Sequence, residues 1–271
     1  MIVNFWGVRG SLPTPGSDFN KYGGNTSCVE VKVNGRTIIF DMGSGIKNLG
    51  NHLIKNNIKN FAIFISHFHY DHTCGLPFFA PAYDVNSKFK VYSGILPTRG
   101  KTLKVLNSQI SSPSFPITVK DFSADIEYKD FEIGKTILLK DSINIKTMLL
   151  NHPDGAVGYR LDCEGKSVCY ITDHEHKLGK ENQELIDFVK NSNLLIYDST
   201  YDDNEFKNYI GWGHSTWQEG GRLAEKAGVK KFYIFHHNPD NCDAKMSEIE
   251  SISKKKNKNF FVAKEGMCVK V

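Results

Sequence analysis

The segment Ser66 to His72, S-H-F-H-Y-D-H, places three imidazoles and a carboxylate within six residues, directly after the apolar run Phe61 to Ile65. In extended backbone, residues two apart face the same way, so His67 and His69 can share one ion. A turn after them lets Asp71 and His72 face a second ion. Imidazole and carboxylate are donors that suit zinc, manganese or iron. Two ions ~3.5–4 Å apart can clamp the attacking and leaving oxygens of an in-line displacement. A water held between them ionises near pH ~7. The expected chemistry is hydrolysis by a metal-bound hydroxide, oriented by Asp71, with no serine or cysteine nucleophile. Cys74, just past the cluster, reads as a structural thiol.

Further donors follow short apolar runs: Asp41 after RTIIF, His152 after KTMLLN, Asp173 after VCYIT, Asp198 after LLIY and His236 after FYIF. Taken singly, each could be a polar residue ending a strand. Together, strand ends converge on one edge of a sheet, where open α/β architectures place their sites. A second segment, Gly211-Trp212-Gly213-His214-Ser215-Thr216, opens a helix. Free N–H groups there suit a phosphate, with Ser215 and Thr216 as candidate phosphate-binding groups. Read locally, Ser215 or Thr216 is an ordinary N-cap.

The elements that must position these residues are short. Ile2 to Trp6, Cys28 to Val33 and Arg36 to Phe40 read as strands, with Asn34-Gly35 as a hairpin turn. Gly45 to Asn57 has helical spacing, and Phe61 to Ile65 is a buried strand. Strands are expected at Ile143 to Leu150, Val157 to Leu161, Val168 to Ile171, Leu194 to Tyr197 and Lys231 to Phe235. Helices are expected at Glu181 to Lys190, Thr216 to Ala227 and Asp243 to Lys256, with Phe260 to Ala263 and Met267 to Val271 closing the sheet. Two halves of strands leading into helices predict two sheets packed face to face with helices outside. Between the halves, about Ala80 to Asp130, prolines 81, 97, 113 and 116 and weak periodicity predict an irregular insertion, a lid or an oligomer contact.

Composition is that of an ordinary globular chain of 271 residues, 40% hydrophobic and 24% charged. The net charge, 34 minus 30 or +4, is too small for a dedicated nucleic-acid binder. Six cysteines without a Cys-x-x-Cys pair make neither a disulfide framework nor a cysteine-type zinc finger. No apolar run suits a membrane span and the N-terminus does not read as a signal peptide, so a cytoplasmic location is expected.

HFHYDH followed by NHP, TD and FHH resembles the metallo-β-lactamase fold superfamily, an αββα sandwich of two mixed sheets. FWGVRGSLPTPG, YGGNTSC, FDMGSG, DHTCGLPFF and GWGHST resemble its ribonuclease Z-like, cyclic-phosphodiesterase-like branch. The resemblance runs from about residue 3 to 240 and implies one domain over 1–271. It implies His67, His69 and His152 on one divalent ion, and Asp71, His72 and His236 on the other, with Asp173 bridging. Asp41 would order the site without being a principal ligand, and His214 would sit at the scissile phosphate. His237 is the rival to His236. His174 and His176 match nothing in the pattern and are expected at the surface. The expected activity is hydrolysis of a small or cyclic phosphodiester, with RNA 3′ processing and thioester or lactone hydrolysis as alternatives and a ligand sensor as the non-enzymatic one. Nucleic acid enters only as substrate, no membrane partner is expected, and a homodimer is left open.

Overall fold

The computed structural model describes residues 1–94 and 101–271; Pro97 of the expected insertion lies outside the described residues. The first sheet is built from β1 (Ile2–Gly7), β2 (Cys28–Val33), β3 (Arg36–Phe40), β4 (Asn60–Ile65), β5 (Lys88–Gly94) and β6 (Asp125–Phe131). The second holds β7 (Ile137–Leu138), β8 (Asn144–Leu150), β9 (Ala156–Cys163), β10 (Lys166–Ile171), β11 (Leu194–Asp198), β12 (Phe232–Phe235) and β13 (Phe260–Val262). β14 (Cys268–Lys270) returns to the first sheet beside β1. Spatial orders are β14-β1-β2-β3-β4-β5-β6 and β13-β12-β11-β10-β9-β8-β7. In each, a parallel half continues into an antiparallel one: β3 to β6 are parallel neighbours, as are β10 to β13.

The reason for two sheets is visible in the alternation along each strand. Ile38, Phe40, Ala62 and Phe64 of the first sheet meet Tyr159, Val168, Tyr170 and Ile196 of the second in one core. The intervening Ile39, Ile63 and Ile65 face the other way, onto α1 (Ile46–Lys55) and the region of α2 (Thr102–Gln109). Cys169, Ile171, Leu195 and Ile234 face α3 (Gln183–Val189), α4 (Trp217–Lys226) and α5 (Asp243–Lys256). Strands covered on both faces read as unbroken apolar runs, which is why RTIIF, NFAIFI and LLIY look alike in sequence. The result is an αββα sandwich. Among the described residues no helix is long and apolar enough to cross a membrane.

Two expectations need correction. The stretch from 80 to 130 is not irregular throughout: β5 and β6 extend the first sheet and α2 lies between them. Its prolines at 81, 113 and 116 fall outside those strands, while K-F-K-V-Y and D-I-E-Y-K-D-F carry the two-residue alternation of half-covered strands. The last two strands do not close one sheet; β13 pairs with β12 and β14 with β1, so the chain end crosses from one sheet to the other.

Candidate metal centre

Parallel neighbours end in step. Phe40 pairs with Phe64, Ile171 with Tyr197 and Asp198 with Phe235, so the residues that follow them gather along one edge of the sandwich. Three of these residues leave their strands with left-handed backbone: Asp41 (φ 63°), Asp173 (φ 51°) and His236 (φ 60°). That region is uncommon for side chains other than glycine and costs on the order of 1–3 kcal/mol per residue. Here it turns each side chain into the gap between the sheets.

After β4, Ser66 leads into His67 and His69, and a single helical turn, Tyr70–His72, presents Asp71 and His72. Asp41 organises this loop. Its carboxylate accepts from Ser66 N (2.6 Å), Ser66 Oγ (2.8 Å), His72 Nδ1 (2.8 Å) and, across the sandwich, Tyr170 OH (2.8 Å). The ordering role expected of Asp41 has a geometry to match.

The other histidines are fixed in the same manner, through one nitrogen that is already engaged. His152 Nδ1 donates to the Gly213 carbonyl (2.8 Å), and His236 Nδ1 lies 3.0 Å from Thr200 Oγ1. His67 Nδ1 lies 3.0 Å from Ser66 Oγ, whose own proton goes to Asp41. Such outer contacts set the tautomer of a metal-binding imidazole and leave the second nitrogen as a lone pair.

Those second nitrogens converge. His152 Nε2 is 3.0 Å from His69 Nδ1 and 3.6 Å from Asp173 Oδ2, and His67 Nε2 is 3.5 Å from the same oxygen. On the other side of Asp173, Oδ1 is 3.1 Å from His72 Nε2 and 3.2 Å from His236 Nε2; Asp71 Oδ2 is 3.2 Å from the former and 3.3 Å from the latter. The donors fall into three groups: His67, His69, His152 and Asp173; Asp71, His72 and His236; and Asp173, Asp198, His214 and His236.

The fit to metal ions is tested by His67. Its Nε2 is fully buried and, among the described residues, has no hydrogen-bond partner, which suits a lone pair kept for a cation. Burial, and then the positive charge of His72, holds His67 well below the usual imidazole range, so it is a neutral donor. Burial likewise lowers His152. Burial opposes charge on His72, but Asp71, Asp173 and Asp41 outweigh it and push this ring well above the usual imidazole range, as carboxylates gathered around a cation site would. The residues fit.

All seven expected ligands therefore meet at one centre, and His214 meets them at its rim. Its Nδ1 is 3.0 Å from Asp198 Oδ2 and 3.8 Å from Asp173 Oδ2, and its ring stacks on His236 at 4.9 Å. Burial works against charge on His214, yet Asp198 prevails and pushes it up to about 9. Asp198 ends β11 as the sequence suggested, but its partnership with His214 had no sequence signal. Nor did the backbone N–H of Ser11, which donates to Asp71 Oδ2 at 2.8 Å. Gly10 is required beside it, since a Cβ there would stand 2.3 Å from the His236 ring.

Other expectations change. Ser215 and Thr216 do not face the centre. Both are fully buried, Ser215 Oγ accepting from Tyr197 OH (3.0 Å) and Thr216 capping α4 through Glu219 N (3.0 Å). His174 is not a surface residue but 3% exposed, and His176 is half-buried. His237 points away from the centre, its Nε2 on the Ala263 carbonyl at 2.8 Å, so His236 is the one presented.

With this geometry in place, residues 36–237 match the beta-lactamase superfamily domain. The chain belongs to the metallo-β-lactamase fold superfamily. Ribonuclease Z of Thermoplasma acidophilum is 24% identical over 290 aligned positions, covering 89% of this chain and 87% of that one. The metallo-beta-lactamase fold protein YhfI from Bacillus subtilis superposes with a TM-score of 0.74 at 16% identity, covering 99% of this chain and 98% of that one. A diphosphatase from the PhnP family does so with a TM-score of 0.72 at 18% identity, covering 100% and 97%. At such identities the superpositions speak for the fold. Superfamily membership and the clustered donors together support a metal-dependent hydrolase.

Proposed function

We propose that this superfamily member is a phosphodiesterase acting on a small or cyclic phosphodiester. The observation that carries the reading is the His214–Asp198 pair: a cationic imidazole at the rim of the donor cluster, held by a buried carboxylate. A leaving alkoxide needs a proton, and an imidazolium within reach of the reacting phosphoryl group supplies one. When bound, two divalent ions held by His67, His69, His152, Asp71, His72, His236 and a shared Asp173 would supply Lewis-acid charge and a nucleophile at neutral pH. Imidazole and carboxylate donors without a thiolate suit zinc, manganese or iron.

This chain's own residues do the rest. Asp71, fixed by the Ser11 N–H, would orient the nucleophile by accepting a hydrogen bond from it. Asp198 keeps His214 oriented and charged. Within a single domain, the stretch 101–130 reaches the ligand loop: Gln109 Nε2 donates to the carbonyl of Phe68 at 2.6 Å, and exposed Phe78 meets Phe115 edge-on at 5.8 Å.

RNA 3′ processing is the second reading, favoured by the likeness to ribonuclease Z. The test is His214→Ala on the metal-loaded protein. It should keep both ions and lose roughly 10²–10⁴-fold on a cyclic nucleotide, and less on bis(p-nitrophenyl) phosphate, whose leaving group needs little protonation. Undiminished hydrolysis of both diesters would move the assignment to thioester or lactone hydrolysis, and cleavage of a pre-tRNA alone would favour the RNA reading.

A further inference from the structure

The two sides of the donor cluster share Asp173 and differ in what stands behind them. One side offers His67, His69 and His152; the other offers His72, His236 and the Asp71 carboxylate. On the first side, His152 Nδ1 donates to a neutral group, the Gly213 carbonyl, at 2.8 Å. His67 Nδ1 lies 3.0 Å from Ser66 Oγ, so the Asp41 charge reaches it only through that hydroxyl. On the second side, His72 Nδ1 donates to Asp41 directly at 2.8 Å.

His236 has a carboxylate of its own, one hydroxyl removed. Its Nε2 faces Asp173 and Asp71, so to be an ion ligand there it must carry its proton on Nδ1, 3.0 Å from Thr200 Oγ1. A ring N–H can only donate, so Thr200 Oγ1 accepts it and sends its own proton elsewhere. Two acceptors are in reach, Asp198 Oδ1 at 2.9 Å and the His236 carbonyl at 3.0 Å. The charged oxygen is the stronger acceptor. The hydrogen bonds therefore run from His236 through Thr200 to Asp198, and all three residues are buried.

A carboxylate behind an imidazole fixes its tautomer and raises its basicity as a ligand. In a buried site with little solvent to screen it, the added negative charge also favours a cation. Both histidines of the second side have such backing, and Asp71 is itself a carboxylate; on the first side only His67 has it, at one remove. The one nearby cation does little to separate the sides, since the His214 ring lies 4.9 Å from that of His236 and 5.4 Å from that of His152.

We propose that the two sides hold divalent ions unequally, the Asp71, His72 and His236 side more tightly, and that Thr200 is the positioning residue that extends the Asp198 charge to His236. This inequality rests on the metal reading of the cluster, whatever bond is hydrolysed. Without the Thr200 hydroxyl, the His236 Nδ1–H loses its acceptor, and the ring can move its proton to Nε2, where it closes the lone pair. Asp198 then has two duties on two oxygens: Oδ1 backs a ligand through Thr200, and Oδ2 holds His214 at 3.0 Å.

The test withdraws zinc from the loaded protein with a chelator of graded concentration and follows the ring ¹⁵N signals of the histidines, with no substrate present. At one remaining ion, the Nε2 signals of His72 and His236 should keep their metal-bound positions, while those of His67 and His152 have moved. Thr200→Val keeps the side-chain shape and removes the hydroxyl. It should weaken retention of the later ion about 10–100-fold and leave the earlier one unchanged, and Thr200→Ser should restore the wild-type profile. Release in the opposite order, or of both ions together in the wild-type protein, would overturn the inequality even if the valine variant failed to fold. Equal weakening of both ions in Thr200→Val, no weakening, or a serine variant no better than valine would overturn the role of Thr200. Failure of the protein to take up zinc, manganese or iron at all would instead overturn the metal centre, and this inequality with it.

Discussion

Asp198→Asn tests the proton-donor reading most sharply, because it keeps the shape of the side chain and removes its charge. In the native chain Asp198 accepts from His214 at 3.0 Å and pushes that imidazole up to about 9, against a burial that works the other way. A raised histidine is protonated below its folded value and loses its proton as pH climbs through it, so the activity it supports falls on the alkaline side. Without the carboxylate, His214 drops to its ordinary value of ~6.5 or lower, and at pH 7.5 only about a tenth of the molecules keep the proton. The expected loss in kcat/KM on a diester with an alkoxide leaving group is therefore roughly tenfold or more at pH 7.5, shrinking towards pH 6. Bound divalent ions disfavour the imidazolium in both proteins, so the displacement of the alkaline limb between them is the quantity to measure. Profiles from pH 5.5 to 9.5 at matched metal content supply it. A loss of equal size at every pH, or an unmoved limb, would refute the reasoning and leave Asp198 as a structural partner of Thr200 and the His174 backbone.

Metal analysis of carefully loaded protein should give close to two ions per chain, and His69→Ala should lower that count together with activity; full retention of both ions would remove His69 from the ligand set. His237→Ala should keep metal and turnover but lower unfolding stability by about 1–3 kcal/mol, since it deletes a buried hydrogen bond to Ala263 and opens a void, as denaturant titration would show. Gly10→Ala drives a methyl against the His236 ring and should weaken metal retention under chelator challenge without changing the far-ultraviolet dichroism; unaltered retention would mean that the loop yields freely.

Much of the centre could be read from sequence because its donors are punctuation on apolar runs. His67, His69, Asp71 and His72 are contiguous, and Asp41, Asp173, Asp198 and His236 each mark a strand end that the sheet register brings into line. Ser215 and Thr216 stayed ambiguous for a related reason, and Thr216 proves to be the N-cap. Hydroxyls at a helix start read equally well as caps or as ligands for an anion, and only the packing of Tyr197 and Glu219 decides between them. What stayed hidden was the work of groups with no type or spacing to reveal them: the Gly213 carbonyl that orients His152, the Ser11 N–H on Asp71, and the left-handed turns at Asp41, Asp173 and His236. Burial of His174 was equally hidden, because a polar tripeptide after a strand looks like surface until the contacts with Asn151, Tyr197 and Asp198 are seen. The strands at 88–94 and 125–131 were masked by neighbouring prolines, of which those at 81, 113 and 116 lie outside the strands.

The donor set is divided between the two sheets. His67, His69, Asp71 and His72 follow β4 of the first, and His152, Asp173 and His236 follow β8, β10 and β12 of the second. An ion shared by such a set is a cross-link, and its binding is linked to the cohesion of the sandwich: at a free concentration one hundred times Kd, one site adds ~2.7 kcal/mol to the stability of the whole chain. Tyr170 on Asp41 is a permanent version of the same tie. The sheets then cannot part while the ligands are engaged, and a chelator should unfasten the two halves in a single transition instead of melting one and sparing the other.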